Sequence, residues 1–431
     1  MNAEFLARLV QAQTEEEKDW LLAELSLSVL SPELRAMALA AAVPHWFDAN
    51  ILAALQPDLA QQAEALYLEL QHLRFVEVFP DRGHNIHERT RKAMLKHLWA
   101  TNEEAFKQFS QRLVDYFGAE NTNRIEHIYH AVMADFEAGS SQFEDYITQL
   151  DHNFRRGEAE ALLAAVQELV EAKRVPESFA ADVVYWFGKI HFRFYEAQEA
   201  LSRYDTALKL YEQVGANLGK ANTLQAIGDV LQFLDRCDEA LERYDTAVKL
   251  YEQVGAKLGK ANTLQAIGDV LQFLDRRDEA LERYDTALKL YEQVGDNLGK
   301  ANTVKAIGDV LQFLARREEA LERYDTALKL YEQVGANLGK ANTLKAIGDL
   351  ALANEQYPEA LQHYRQALAL VEQIHDLYST ARVWCYIGTA YATQGDKPKA
   401  ISAFTTAASI FRNIKLDDLA QFCEGAIEEI E

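Results

Sequence analysis

A glycine-rich segment, GANLGKANT, is the first candidate for chemistry, because it has the glycines and the lysine of a phosphate-binding loop. A loop of that kind needs the spacing GxxxxGK followed by Ser or Thr, whose hydroxyl binds magnesium. Here Gly215 and Gly219 are one residue too close together, and Ala221 stands in place of the hydroxyl residue. We therefore predict that this segment connects two helices and binds no phosphate.

A group of histidines and carboxylates is the second candidate, since such side chains can hold a metal ion or transfer protons. Its members lie near one another in the sequence and are His127, His130, Asp135, Glu137 and His152. The surrounding segment IEHIYHAV has the pattern of an ordinary amphipathic helix, which does not by itself bring these groups together. We predict a protein that is not an enzyme and has neither a cofactor nor a metal ion.

Composition narrows the possible partners. The 431 residues carry a formal net charge of -23, and about half of them are apolar, 49%. Nucleic acids and anionic lipids attract clustered Lys and Arg, so nucleic-acid binding is unlikely for so acidic a chain. Basic or neutral proteins are the partners that this charge favours.

The cysteines and the absence of long apolar runs indicate the compartment. Cys237, Cys385 and Cys423 are widely spaced and form no CxxC or Cys/His pattern, which is typical of buried thiols in a reducing environment. No apolar run approaches the roughly 20 residues that cross a bilayer, and the N-terminus has no signal-peptide pattern. We predict a cytoplasmic protein with no membrane partner.

The elements of residues 1–115 can be assigned from capping and turn signals. Thr14 with Glu17 forms a capping box, Ser31 and Asp48 are N-caps of two further helices, and a fourth helix covers about residues 60–73. RFVEVFP alternates like a strand, a turn follows at residues 81–83, and residues 84–87 can pair with it before a basic helix over residues 88–99. The last three of these four helices, the hairpin and the helix after it predict a winged-helix-like module.

This order of segments resembles the winged helix that follows the nucleotide-binding core of STAND (NB-ARC-like) signalling ATPases. The resemblance covers roughly residues 30–115 and is carried by AAAVPHWFDANILAAL, ALYLELQHLRFVEV and HNIHERTRKAMLKHL. Residues 116–177 are similar to the helical bridge by which such proteins pass into repeats. The resemblance implies that His87 is the counterpart of a histidine that approaches the nucleotide. Because no phosphate-binding loop precedes it in this chain, we expect His87 to be structural or vestigial.

A winged helix can instead read DNA, with a third helix that carries Arg, Lys, Asn or Gln into the major groove. That helix here, AQQAEALYLELQHL, contains no Lys or Arg. The basic residues Arg89, Arg91, Lys92 and Lys96 lie on the following helix, where we interpret them as a solvated face. DNA binding is therefore a second alternative.

The remainder of the chain is repetitive. From Tyr204 to Gly348 one segment of forty residues recurs almost unchanged, so that Gly228, Ala240 and Tyr244 reappear at the same phase. A unit of this size cannot bury its own apolar face and must stack on its neighbours, which predicts a solenoid.

The spacing of Gly228, Ala240, Tyr244 and Ala247 resembles the tetratricopeptide repeat, a helix-turn-helix unit, here lengthened to forty residues. The resemblance implies an all-α, right-handed solenoid of about six helix pairs over residues 178–414, with a capping helix over residues 415–431. Small residues at positions 228 and 240 should let the paired helices approach, with Tyr244 beside them.

In tetratricopeptide arrays the first helix of each unit lines a groove that binds a peptide or a partner helix. The resemblance places the groove at Asn222, Gln225, Asp229, Gln232, Phe233, Asn262, Gln265, Asp269, Gln272, Phe273, Asn302, Lys305, Asp309, Gln312, Phe313, Asn342, Lys345 and Asp349. The phenylalanines could instead pack between neighbouring helices, and the polar rows could be solvated faces.

Two hypotheses of function follow. In the first, the protein is a non-enzymatic scaffold that binds a protein or peptide ligand in the groove. In the alternative, it is a regulatory or sensor relic of a STAND ATPase and acts with a nucleotide-binding effector supplied as a separate chain.

Overall fold

The computed structural model describes residues 3–120 and 123–430 and divides into two units, residues 1–215 and 216–431. In both, helices pack in succession, which confirms the predicted all-α class with repeated helix pairs.

The N-terminal unit begins with short helices whose caps were predicted. Thr14 and Glu17 form the capping box, and the side chains of Ser31 and Asp48 accept backbone N–H groups of the next two helices. The predicted fourth helix is shorter than expected and is preceded by a 3-10 turn. The elements are α1 Ala3–Gln11, α2 Glu15–Ser28, α3 Pro32–Ala41, α4 Ala49–Leu55, a 3-10 helix Pro57–Gln62 and α5 Ala63–Leu70.

The predicted hairpin is present and leads into a helix. β1 (Val76–Phe79) pairs antiparallel with β2 (Gly83–Ile86), and α6 (Glu88–Thr101) follows. Phe47 adds a bridge to this sheet, because its N–H and C=O exchange hydrogen bonds with His84. Gly83 has φ +106, and a Cβ there would lie 2.6 Å from the Phe47 carbonyl oxygen, so the pairing requires glycine.

Six more helices complete the N-terminal unit, and the last two form the first helix pair of the repeat type. They are α7 Glu103–Glu120, α8 Arg124–Ala134, α9 Phe136–His152, α10 Arg156–Glu171, α11 Glu177–Arg193 and α12 Ala197–Val214. One continuous core runs from Ala23 in α2 to Ile190 in α11. The predicted boundaries at residues 115 and 177 remain predictions.

The C-terminal unit consists of five helix pairs, which we call repeats 2 to 6, and a last helix. The pairs are α13 Asn217–Phe233 with α14 Cys237–Val254, α15 Lys257–Phe273 with α16 Arg277–Val294, α17 Asn297–Phe313 with α18 Arg317–Val334, α19 Asn337–Ala353 with α20 Tyr357–Gln373, and α21 Leu377–Gln394 with α22 Lys397–Asn413; α23 is Asp417–Ile430. The second helix of each pair packs on the first helix of the next. In α23, Cys423 is buried, as predicted, whereas Phe422 is 70% exposed.

Close packing within each pair depends on a glycine against an aromatic ring, which is a tyrosine in repeats 2 to 5 and Phe404 in repeat 6. A Cβ at Gly228 would lie 2.4 Å from Cε1 of Tyr244, and Gly268 has the same relation to Tyr284. Ala240 is fully buried, as its small size predicted. Gly215 ends α12 at φ +70, and only Gly215 and Ala216 of GANLGKANT connect the two helices. The rest of the segment, from Asn217, is the first part of α13, so the prediction that the whole segment is a connection is wrong.

Candidate partner-binding groove

The first helices of repeats 3 to 6 surround two adjoining cavities of about 480 and 300 Å³. The predicted groove residues that line them are Gln265, Asp269, Gln272, Asn302, Lys305, Asp309, Gln312, Phe313, Asn342, Lys345 and Asp349. The others, which do not line these cavities, are Asn222, Gln225, Asp229, Gln232, Phe233, Asn262 and Phe273. The cavities, with the residues that line them, are called the groove below.

The predicted asparagines of repeats 2 to 4, of which Asn302 lines the groove, are held by tyrosines of the second helices. Tyr291 donates its hydroxyl hydrogen to Oδ1 of Asn262 at 2.7 Å, and Tyr331 donates to Oδ1 of Asn302 at 2.7 Å. Tyr251 does the same for Asn222. In repeat 5, Val371 takes the position of the tyrosine, so Asn342 lacks this bond and lines both cavities.

The glutamines join neighbouring repeats. Oε1 of Gln265 accepts from Tyr291 at 3.2 Å in its own repeat and from Thr303 at 3.0 Å in the next. Gln225 makes the equivalent pair of bonds with Tyr251 and Thr263. The amide oxygens are therefore used within the array, and the amide NH2 groups are the donors left for a ligand.

The aspartates accept from the tyrosines that pack against the glycines. Tyr244 donates to Asp229 at 2.7 Å and Tyr284 to Asp269 at 2.6 Å. Burial raises the pKa of both carboxyls to about 6, although the tyrosine hydrogen bonds act in the opposite direction. The two groups therefore change charge near pH 6.

Cations replace the glutamines in repeats 4 and 5. Lys305 lies 2.6 Å from Asp309, and Lys345 lies 2.9 Å from Asp349. The Lys345 Nζ also stands 4.6 Å above the ring of Tyr386. Within each pair the positive charge of the lysine offsets the negative charge of the aspartate. These two pairs therefore make this part of the groove polar without adding net charge.

The three phenylalanines that were predicted for the groove are exposed, and of these only Phe313 lines it. Phe233, Phe273 and Phe313 are 50%, 70% and 65% exposed. The guanidinium of Arg277 lies 5.2 Å from the centre of the Phe313 ring. The alternative that these phenylalanines pack between neighbouring helices does not explain why half or more of each side chain is exposed.

Sequence reasoning missed two kinds of residue that line the groove or bond beside it, of which Tyr331 and Arg382 line it. Tyr251, Tyr291 and Tyr331 recur at the same phase as the residues that were chosen, and this period could have revealed them. Arg382 and Tyr386 of repeat 6, which bond to each other at 3.2 Å, occupy positions where the repeated wording changes. No periodic signal marks them.

The histidines considered for catalysis are used in different ways. His127 bonds to the Val114 carbonyl and to Gln142, and Asp135 is the N-cap of α9. His130 is fully buried. Within residues 3–120 and 123–430, three or more His, Cys, Asp or Glu side chains nowhere gather in a way that could hold a metal ion.

A buried cluster of charges in the N-terminal unit was not predicted; we call it the ionic cluster and define it as His45, Arg91, Glu126, Tyr129 and Glu168. Arg91 donates to both oxygens of Glu168, at 2.7 and 2.8 Å. His45 contacts Glu126 at 2.8 Å and Glu168 at 3.2 Å.

The charges of the ionic cluster fix one another. Burial by itself would lower the pKa of His45, but the charges and hydrogen bonds of Glu126 and Glu168 raise it to about 9. Burial by itself would raise the pKa of Glu168, but His45 and Arg91 hold it well below its usual range. The other four side chains of the ionic cluster, apart from Tyr129, are therefore all charged at neutral pH.

The interpretation of the basic helix as a solvated face is wrong for Arg91. Its side chain is buried and also donates to the carbonyls of Val43 and Pro44. Arg89 reaches Asp19, and Lys92 pairs with Glu88 at 2.6 Å. His87 lies before α6 with its Nε2 4.0 Å from Glu77.

Among the described helices, none combines the length and the apolar character that a membrane span requires.

Helix pairs that recur at a fixed period and present one polar face define a helical-repeat protein. A profile of the tetratricopeptide repeat matches residues 180–253, 259–333 and 339–413, just over half of the chain. The chain therefore belongs to the tetratricopeptide repeat family. Comparison with curated proteins found no significant relative.

Several solved structures are similar to this chain at low sequence identity. Over 98% of its length the chain is similar to the STAND protein with a tetratricopeptide repeat sensor, PH0952, from Pyrococcus horikoshii (TM-score 0.54, 14% identity), and it spans 66% of that protein. Aspartyl phosphate phosphatase F from Bacillus subtilis is matched over 90% of this chain and 96% of its own (0.49, 12%). BtubC from P. vanneervenii is matched over 51% and 92% (0.46, 16%).

Proposed function

We propose that this protein is a non-enzymatic scaffold whose groove binds an extended peptide or a helix of another protein. The observation that carries the proposal is the pair of adjoining cavities across the first helices of repeats 3 to 6. Their combined size is that of sites that hold several ligand side chains. The fold is one whose members bind proteins and peptides.

The polar rows suit a peptide backbone. Because tyrosine hydroxyls occupy the oxygens of Asn262, Asn302 and Gln265, these side chains would offer N–H groups to ligand carbonyls. Asn342, which lacks the tyrosine, would offer both its oxygen and its nitrogen. The groove would therefore make more donor than acceptor bonds with a ligand.

The exposed aromatic rings suit an apolar anchor. Phe313 lines the smaller cavity, and Phe273 is at the same phase one repeat earlier. Buried aromatic side chains supply a large share of the energy at protein interfaces. A ligand with an apolar side chain beside a polar backbone would use both features.

The proposal can be tested with a displayed library of random peptides, selected on the full chain, and with fluorescence anisotropy of the selected peptides. Replacing Phe273 and Phe313 together by alanine should weaken binding at least about tenfold. The matched control replaces Val294 and Val334, which are also exposed and one repeat apart but lie at the ends of the second helices. Equal affinity of the two double variants, or a failure to select any peptide, would contradict groove binding.

The regulatory alternative, with a nucleotide-binding effector as the partner, remains a prediction. The same assay separates it from the scaffold, because an effector held by the N-terminal unit would bind the Phe273→Ala/Phe313→Ala variant as well as the original chain. A cytoplasmic location also remains a prediction; the three cysteines are free thiols in the structure.

A further inference from the structure

Two thiols meet at the C-terminal end of the repeats. Cys385 on α21 and Cys423 on α23 are 38 residues apart in the chain, and their Sγ atoms lie 3.4 Å apart. Both belong to the apolar cluster that joins repeat 6 to α23. Within it Cys423 is fully buried and Cys385 is partly exposed, so solvent reaches one member of the pair.

The distance between the two sulfur atoms suits a reaction between them. Reacting atoms that are held about 3–3.5 Å apart are close to the geometry of bond formation. A disulfide bond is about 2.0 Å long, so each sulfur has to move by only about 0.7 Å. Rotation of the two side chains about their Cα–Cβ bonds produces a movement of that size.

The surroundings of the thiols determine how fast they can react. Burial raises the pKa of both thiols, and at Cys385 the hydrogen bond with Cys423 acts in the same direction. Arg382 opposes the rise at Cys385, and Glu424, which pairs with Arg412 of α22, adds to it at Cys423. Because the thiolate is the reactive form, this pair responds to sustained rather than brief exposure to an oxidant.

We propose that Cys385 and Cys423 are a redox modification site, at which a hydroperoxide converts the two thiols into a disulfide that ties α23 to α21. The thiolate of Cys385, the partly exposed member, attacks one oxygen of hydrogen peroxide; a sulfenic acid forms and the other oxygen leaves as water. Cys423 then attacks the sulfenic sulfur, and its proton leaves with the hydroxyl group as a second water. Two electrons pass from the two sulfurs to the peroxide.

The disulfide would act on the end of the solenoid. A terminal helix has a neighbouring repeat on one side only, and such ends open more readily than the interior. The bond would add a covalent link to the packing of α23 on α22 and would close a loop of 38 residues. None of the three cysteines lines the groove, so this proposal is independent of the proposed function.

Treatment of the full chain with hydrogen peroxide, followed by alkylation of the remaining thiols and peptide mass spectrometry, tests the proposal. We expect a link between Cys385 and Cys423 within one chain, an alkylated Cys237, and reversal by dithiothreitol. The rate should rise about tenfold from pH 7 to pH 8, because the thiolate is scarce in this range. Links to Cys237 as frequent as in the urea-unfolded chain, links between chains, or a rate that does not change with pH would overturn the proposal.

Amide hydrogen exchange measures the effect of the disulfide on α23. After peroxide treatment, exchange in α23 should slow by at least about tenfold. Cys385→Ser should abolish this slowing. The matched control is Cys237→Arg, which introduces the residue that repeats 3 and 4 have at this position and should behave like the original chain. Equal slowing in Cys385→Ser, or unchanged exchange in a chain that carries the link, would contradict the proposal.

Discussion

Tyrosine hydroxyls in the C-terminal unit donate to side-chain oxygens 29 residues before them (Tyr251 to Asn222) or 15 residues before them (Tyr244 to Asp229), and the pattern repeats. In the N-terminal unit, by contrast, the ionic cluster joins full charges that are 77 to 123 residues apart. The first arrangement is local and repeated. The second is non-local and occurs in one place.

This difference has an energetic consequence. A hydrogen bond such as that of Tyr251 contributes roughly 0.5–1.5 kcal/mol, and its loss affects one repeat and its neighbour. A buried ion pair contributes little net stability, but removal of one partner leaves a buried charge at a cost of about 3–5 kcal/mol. We therefore expect the repeats to tolerate single changes better than the ionic cluster does.

The largest expected effect is that of Glu168→Ala. The change removes the acceptor of Arg91, His45 and Tyr129 together, and leaves the guanidinium of Arg91 buried without a carboxylate. We expect the free energy of unfolding of the N-terminal unit to fall by about 3–5 kcal/mol. Urea unfolding followed by tryptophan fluorescence measures it, because Trp20, Trp46, Trp99 and Trp186 all lie in that unit.

The control for this prediction replaces Arg91 and Glu168 together by methionine. Since no uncompensated charge of that pair remains, the double variant should recover part of the lost stability. A loss below about 1 kcal/mol for Glu168→Ala would remove the contrast between the two units.

The next effect in size is that of Gly268→Ala. The new Cβ would lie 2.4 Å from Cε1 of Tyr284, so the helix pair must shift, at a cost of about 1–3 kcal/mol. Thermal unfolding by circular dichroism measures it, and Gly308→Ala, where the Cβ would lie 2.6 Å from Tyr324, should behave alike.

Gly425→Ala is the control, since that helical glycine has open space around its position. It should gain up to about 1 kcal/mol from higher helix propensity. A very different loss of stability for Gly268→Ala and Gly308→Ala would show that the repeats are not energetically equivalent. That result would contradict the description of the C-terminal unit as a repeated arrangement of local contacts.

The locality of contacts also decided what the sequence could predict. The roles of the glycine at position 228 and the alanine at position 240 follow from residue types and spacings that recur, and the structure agrees with both. The Tyr251 row was equally periodic, but nothing in a single residue type says that its hydroxyl reaches an asparagine 29 positions earlier. The period of the repeat shows where a residue type recurs, but it does not show which side chain that residue contacts.

The ionic cluster had no comparable signal. Arg91 lies among Arg89, Lys92 and Lys96, and a pattern of charges cannot show which one turns inward. Its partner Glu168 comes 77 residues later on another helix. Only the packing of α6 against the rest of the N-terminal unit selects that pair. Eleven of the eighteen predicted groove positions line the two cavities, and the role of these positions in ligand binding stays a prediction.

The smallest expected effect, about 1 kcal/mol per side chain after allowance for partial exposure, is the response of the repeats to acid. Because the carboxyls of Asp229 and Asp269 have a pKa near 6 when folded and near 3.8 in the reference state, the folded array binds more protons between pH about 4 and 6. Its stability should therefore rise as the pH falls through that range.

The ionic cluster responds oppositely, since the lowered pKa values of Glu126 and Glu168 mean that its stabilisation is lost below about pH 4.5. Thermal unfolding of the original chain and of an Asp229→Asn/Asp269→Asn variant, which keeps the tyrosine hydrogen bonds, measures how stability depends on pH between about 4 and 6. If stability changes equally with pH in both proteins, these aspartates do not cause the response of the repeats to acid.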